Sequence, residues 1–326
     1  MWRDVKKIIQ KHQNFLLTTH VSPDGDGIGA ACALTELLLM QGKQVRFVCD
    51  SHIPEKFAFL NYRGVHEVYD PVKGYEDVEV MMVLDTHRRD RIGRLESFID
   101  RPGVVTVCID HHKPQEAFTS HFVIHEHACS VGAMVYTLFK ESGFDLNFEA
   151  ATGIYTSVIC DTGRFSYSST DRKAHKIAEE CMRKGVDPDE MFSRLFQHVP
   201  IFQVKMFAKA LQNMETHLDD RVVIQEIRRE DCQDMSENGC DLESADLEYI
   251  HEFNKLIEDV ECVILLRELE NEEVRISLRS KSDLDIVQIV KTMGGGGHSK
   301  AAGASWKGSL EEVKEKVLGL LEEALG

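Results

Sequence analysis

Three apolar runs in the first third of this chain stop abruptly at titratable residues. Leu16-Leu17-Thr18-Thr19 meets His20-x3-Asp24-x-Asp26, Val80-Met81-Met82-Val83-Leu84 meets Asp85, and residues 104–109 meet Asp110-His111-His112. Short runs this apolar, with little alternation, are strands buried on both faces, as in a parallel sheet. Such sheets bind ligands outside the carboxyl ends of their strands. The charged residues therefore fall where a site belongs. A fourth apolar stretch, 147–160, has a helical pattern and breaks at Asp161-Thr162-Gly163.

The alternation of strand-like and helical segments predicts βαβ units. Strands are expected at 14–19, 44–49, 79–84, 104–109 and 122–125. Helices are expected at 27–41, 130–142, 147–160 and 171–184, with Gly42, Gly143 and Gly185 as stops and Ser169-Thr170-Asp171 as a start. From Val186 to His217 the pattern is helical only, with Pro188 and Pro200 as helix openers. Beyond it come a strand at 221–227, a helix near 245–258, a hairpin over 261–279 turning at Glu270-Asn271-Glu272, a helix at 284–292, a glycine-rich loop and a helix at 309–324. The fold class read from this is α/β: a mostly parallel sheet flanked by helices (1–185), a helical linker (186–217) and a smaller α+β domain (218–326).

Composition narrows the function. A net charge of −17 over 326 residues repels a polyanion, so long or duplex nucleic acid is excluded as a partner and any nucleic-acid substrate should be short. The charge is uneven: residues 226–273 hold 17 acids and 4 bases, and 274–307 hold 6 bases and 2 acids. No secretory leader and no run of about 18 apolar residues is present, which points to a cytoplasmic protein without a membrane partner. Nine cysteines without a Cys-x-x-Cys pair read as reduced core residues.

Singly, an Asp at a strand end is more often a cap or a turn residue than a ligand. The set is different, because a buried strand would hardly end in Asp110-His111-His112 unless these groups coordinate something. His20, Asp24 and Asp26 lie on a loop with Pro23, Gly25 and Gly27. Asp24 and Asp26 can address neighbouring ions, and Asp85 from another strand is the candidate bridge. Oxygen and imidazole donors without thiolate suit Mn²⁺ or Mg²⁺. Two such ions about 3.5–4 Å apart stabilise the attacking and leaving oxygens of a phosphoryl displacement.

These motifs together resemble the DHH phosphoesterase family, and Gly294-Gly295-Gly296-Gly297-His298 resembles the phosphate-binding loop of its associated C-terminal domain. Within that family the pattern is most similar to the stand-alone oligoribonuclease and pAp phosphatase branch, the nanoRNases. The resemblance implies two Mn²⁺ ions, or Mg²⁺ or other divalent ions, in a cleft between the domains. One would be held by His20, Asp24 and Asp85, the other by Asp26, Asp85, His111 and Asp161. His112 would face the scissile phosphate, and Asp110 would orient an imidazole. Neighbouring His87, His125 and His127 match no motif and read as surface or packing residues; Arg88, Arg89 and Arg91 read as an exposed basic loop.

Four glycines give a segment whose amides can approach an anion closely, and Arg279, Lys281 and Lys300 flank it. The resemblance implies that Arg279, Gly295, Gly296, Gly297 and His298 grip a terminal phosphate. The substrates implied are oligoribonucleotides of two to five residues, released as 5′-mononucleotides, and the nucleoside bisphosphate pAp; a homodimer is also implied. The alternative is a phosphodiesterase of cyclic di-AMP or pApA. An inorganic pyrophosphatase, a single-strand exonuclease and a non-catalytic nucleotide-binding module stand further from the pattern.

Overall fold

The computed structural model describes residues 1–113, 117–233, 247–254 and 256–325, except the side chains of 232, 233, 248, 252 and 298. It divides into two compact units, Met1–His198 and Val199–Gly326.

In the first unit the chain runs α1 (Arg3–Lys11), β1 (Asn14–Thr18), α2 (Gly25–Met40), β2 (Gln44–Cys49), β3 (His66–Val68), β4 (Val80–Leu84), β5 (Val105–Asp110), β6 (His121–Ile124), α3 (Val131–Ser142), α4 (Phe148–Asp161), α5 (Arg172–Arg183) and α6 (Pro188–Phe196). The strands form one sheet of order β3-β2-β1-β4-β5-β6, and every pairing is parallel. The apolar runs explain it. Leu17, Met82, Leu84 and Ile109 point into a large core under the helices, while Leu16, Met81 and Val83 point into a second core closed by Tyr75, Ile92, Leu95 and Phe98. Both faces are thus buried, as the absence of alternation required.

Apart from α1, the helices of this unit begin at side-chain caps. Asp24, Ser130, Asn147, Asp171 and Asp187 each accept from amides of the turn they open, which satisfies donors the helix itself leaves without partners. Helices α2 and α4 approach so closely that only hydrogen fits at their crossing. A Cβ at Gly153 would lie 2.6 Å from the carbonyl oxygen of Gly29 and 3.0 Å from the amide nitrogen of Ala33. Both are backbone atoms and cannot rotate away. Gly153→Ala should therefore destabilise the unit by about 1–3 kcal/mol, a drop of several degrees in Tm. An unchanged melting curve would mean that the helices can move apart at no cost.

The second unit contains α7 (Ile201–Gln212), β7 (Glu215–His217), β8 (Val222–Ile227), α8 (Arg229–Gln233), α9 (Glu248–Asn254), β9 (Cys262–Glu268), β10 (Glu273–Ser280), α10 (Ile286–Lys291), β11 (Gly296–His298), β12 (Ala301–Lys307) and α11 (Leu310–Leu325). Its sheet has the order β11-β12-β10-β9-β8-β7. Only β8 and β9 run parallel. Helices α10 and α11 cover one face, and α7 and α9 cover part of the other. The hairpin turns where expected, with Asn271 and Glu272 both at positive φ, as a tight turn between antiparallel strands demands.

The structure departs from the sequence expectation in four strands. β3 and β7 have three residues each, too few for a periodic signal. β12 begins Ala-Ala-Gly-Ala-Ser, with none of the β-branched residues that mark strands. Its partner β11 is cut from the glycine run, which is no free loop: Gly296, Gly297 and His298 pair with Gly303, Ala302 and Ala301. Small residues are needed here because a Cβ at Gly295 would meet the Gly303 carbonyl oxygen at 2.3 Å. The segment expected to be a linker is helical, and its helices α6 and α7 fall in different units. The first part of the helix expected near 245–258 lies outside the described residues.

Candidate active site

The strand order reverses at β1, so that β2 lies on one side of it and β4 on the other. Chain connections leave this point in opposite directions and open a crevice at the strand ends. His20 and Asp24 follow β1, and Asp85 follows β4 directly. Asp110 ends β5, with His111 and His112 just after it. Asp26 is in the first turn of α2 and Asp161 ends α4.

These side chains converge. His20 Nε2 is 3.7 Å from Asp24 Oδ2 and 3.6 Å from Asp85 Oδ2. His111 Nε2 is 3.6 Å from Asp26 Oδ2, 3.9 Å from Asp85 Oδ1 and 3.5 Å from Asp161 Oδ2. His20, Asp24 and Asp85 form one compact donor group, and Asp26, His111 and Asp161 form another. Asp85 touches both. It is 4% exposed and holds φ at 61°, a left-handed conformation that Asp and Asn tolerate better than other branched or bulky residues.

Each ring is oriented from behind. The Nδ1 of His20 bonds the Val21 carbonyl at 2.9 Å, and that of His111 bonds the Ala128 carbonyl at 2.9 Å. A carbonyl can only accept, so Nδ1 carries the proton and Nε2 faces the carboxylates. The His111 Nε2 atom is buried without a hydrogen-bond partner. A buried lone pair ringed by carboxylate oxygens is costly unless a cation sits among them. The donor groups contain oxygen and imidazole donors only; the adjacent Cys160, whose thiol burial pushes up to about 12, belongs to none of them. The set fits a divalent ion of the Mg²⁺ and Mn²⁺ type.

The electrostatics agree. Burial, followed by repulsion from Asp26, raises Asp85 well above the usual carboxylate range. The same two causes raise Asp161 to about 7. Burial opposes charge on His20, but Asp24 and Asp85 outweigh it and raise the imidazole to about 10. The cluster holds protons that a cation must displace, so cation affinity should fall as pH drops through about 7 and each binding event should release protons. Mn²⁺ calorimetry at pH 8 and pH 6, in buffers of different ionisation enthalpy, should show at least a tenfold weakening at pH 6. Affinity independent of pH would refute this reading of the cluster.

Asp110 plays another part. It is fully buried. Its Oδ1 accepts from the amides of His111 and His112 and from His112 Nδ1 at 2.8 Å, while Oδ2 accepts from His87 Nδ1 at 2.8 Å. With both oxygens committed it orients rather than ligates. In return Asp110 raises the pKa of His112, whose side chain is half exposed.

Residues 14–175 match the DHH family, N-terminal domain, and residues 235–326 match the DHHA1 domain. The chain belongs to the DHH family. This DHH chain is 29% identical over 316 residues to the bifunctional oligoribonuclease and PAP phosphatase NrnA of Thermus thermophilus, spanning 95% of the chain and 89% of that protein. It is 26% identical over 323 residues to the Bacillus subtilis protein of the same name, spanning 94% and 93%. The crystal structure of an exopolyphosphatase-related protein from Bacteroides fragilis superposes with a TM-score of 0.89 at 26% identity, over 98% of this chain and 95% of that one. No helix among the described residues is long and apolar enough to cross a membrane.

Within this DHH site the sequence reading missed the supports. His87, read as a surface or packing residue, holds Asp110. Ser157 donates to Asp26 Oδ1 at 2.5 Å and to Ser130 Oγ at 2.8 Å, while the Val131 and Gly132 amides at the start of α3 also bond Asp26. Neither side chain carries a motif, and no signal in one sequence would have found them. The basic loop pairs locally, Arg88 with Asp90 and Arg89 with Asp100, whereas Arg91 Nη2 comes within 3.3 Å of His20 Nδ1. In the DHHA1 unit, Arg279 and Gly294–Gly296 line a cavity of 540 Å³. The side chain of His298 lies outside the described residues.

Proposed function

We propose that the chain is a cytoplasmic phosphoesterase that hydrolyses short oligoribonucleotides to 5′-mononucleotides and converts pAp to AMP. The observation that carries this reading is the pair of donor groups sharing Asp85, with the buried lone pair of His111 facing one of them. The bifunctional NrnA relatives supply the substrate class.

Two divalent ions, Mn²⁺ by preference, would be held by His20, Asp24 and Asp85 and by Asp26, Asp85, His111 and Asp161. When bound, such ions supply Lewis-acid polarisation of the phosphoryl oxygens and a water of lowered pKa. The chain's own residues do the rest. Asp26, fixed by Ser157 and the two α3 amides, holds its carboxylate in place without reorganisation. His112, charged more readily because Asp110 stabilises its imidazolium, is half exposed beside the cluster and donates its proton to the departing 3′-oxygen. Asp110 and His87 hold that ring in register. Arg279 and the glycine segment bind a terminal phosphate, which limits useful substrate length and agrees with the net charge of −17.

Product chromatography tests the reading. Purified protein with Mn²⁺ is given equal concentrations of pApA, pAp, cyclic di-AMP and pyrophosphate. Fast pApA conversion to AMP with slower pAp hydrolysis is expected. Preference for cyclic di-AMP or pyrophosphate would transfer the assignment to those activities, and inertness toward all four would leave a binding module.

A further inference from the structure

The cavity that contains Arg279 continues along β10 past that residue. β10 sets Arg275, Ser277 and Arg279 at alternate positions, hence on one face of the sheet. The register places Ser305, Gly303 and Ala301 of β12 directly beside them. Nothing on this floor between the two arginines is larger than a serine, and Gly294–Gly296 form a wall without side chains. The result is a trough of 540 Å³ lined by both Arg275 and Arg279.

Charge reinforces the geometry. On the opposite flank β9 puts Arg267 directly across from Arg275. Three arginines thus lie on one face of two adjacent strands, together with Glu273. The flanking stretch 226–273, with 17 acids to 4 bases, makes such a concentration of positive charge distinctive. Four residues of strand separate Arg275 from Arg279, roughly 13 Å between their α-carbons. A phosphate resting over one does not rest over the other; two phosphates joined through a nucleoside can reach both.

We propose that Arg275 forms a second phosphate subsite beside the one at Arg279, taken by the outermost phosphate of a substrate that extends beyond pApA while Arg279 holds the next phosphate inward, and so sets which substrate lengths bind best. The inference rests on the phosphoesterase reading above. A planar guanidinium offers a fork that pairs with two phosphoryl oxygens, and this chemistry is the same whether the outermost phosphate ends a longer oligonucleotide or a 5′-polyphosphate.

Steady-state kinetics with Mn²⁺ on pApA, pApApA and pppApA, for the wild type, Arg275→Ala and Arg275→Lys, separate the cases. Arg275→Ala should raise the KM of a substrate carrying the extra phosphate, relative to that of pApA, by about tenfold. Arg275→Lys should recover part of the loss, since it keeps the charge and loses the fork. A change confined to pApApA identifies the longer oligonucleotide; one confined to pppApA identifies the 5′-polyphosphate. A constant KM ratio across all substrates, in a variant that still turns over pApA, overturns the subsite and leaves the phosphoesterase reading standing. A wild type inert toward all three substrates overturns both.

Discussion

Asp85→Asn should lower kcat/KM on pApA by at least about a thousandfold and reduce the bound Mn²⁺ per chain. Asp85 contacts both donor groups, with its two oxygens 3.6 Å from His20 Nε2 and 3.9 Å from His111 Nε2. A neutral amide there removes the shared negative charge and turns N–H groups toward imidazoles poised to ligate. A loss of transition-state stabilisation of about 4 kcal/mol corresponds to that factor. Asparagine is the informative substitution because it tolerates the φ of 61° at this position, where most side chains are strained. The fold should survive. Removing a carboxylate that Asp26 repels should leave the metal-free protein at least as stable as the wild type, while the gain in Tm on adding Mn²⁺ should shrink or vanish, because a ligand that binds only the folded state stabilises it in proportion to its affinity. Elemental analysis, melting curves and kinetics on one preparation check all three. Full Mn²⁺ occupancy with substantial turnover would remove Asp85 from the bridging role.

His112→Gln should lower kcat on pApA by about 10²–10³, the usual range for a positioned general acid, with metal content unchanged. His112 is anchored by Asp110 at 2.8 Å and its side chain is 50% exposed, so it can face a substrate; its Nδ1 also lies 3.7 Å from Asp85 Oδ1, in a further donor group with Asp85 and His111. The role can be separated from general charge stabilisation. An aryl phosphodiester such as a p-nitrophenyl nucleotide ester departs without a proton and should lose much less activity in the variant than pApA does. Equal losses on the two substrates would make His112 a stabiliser of phosphoryl charge instead of an acid, and lost metal would make it a ligand.

Much of the first unit was legible because its strands are buried on both faces. Burial leaves a composition signal, and the signal ends where the strand ends, which is why the sequence alone sets His20, Asp85 and Asp110 at strand ends. The helix starts were legible too, since caps are local: Asp24, Ser130 and Asp171 act on amides two or three residues away. Asp24 caps α2 through Oδ1 and faces His20 through Oδ2, so capping a helix and joining the cluster are compatible in one residue. In the second unit β12 was illegible for the opposite reason. Its alanines and Gly303 are there to admit a close neighbour, and close approach leaves no hydrophobic periodicity.

The sequence by itself determined which carboxylates and imidazoles stand at the ends of the apolar runs, where such groups are too costly to bury without a purpose. It determined the α/β class for the same energetic reason. Only the tertiary structure decided how those residues divide into two groups around Asp85, which nitrogen of each ring faces inward, and that His87, Ser157 and the Ala128 carbonyl hold them. These last contacts join residues as much as 131 positions apart. A hydrogen bond between side chains so distant depends on where the helices pack, and packing is a property of the whole fold that no local spacing records.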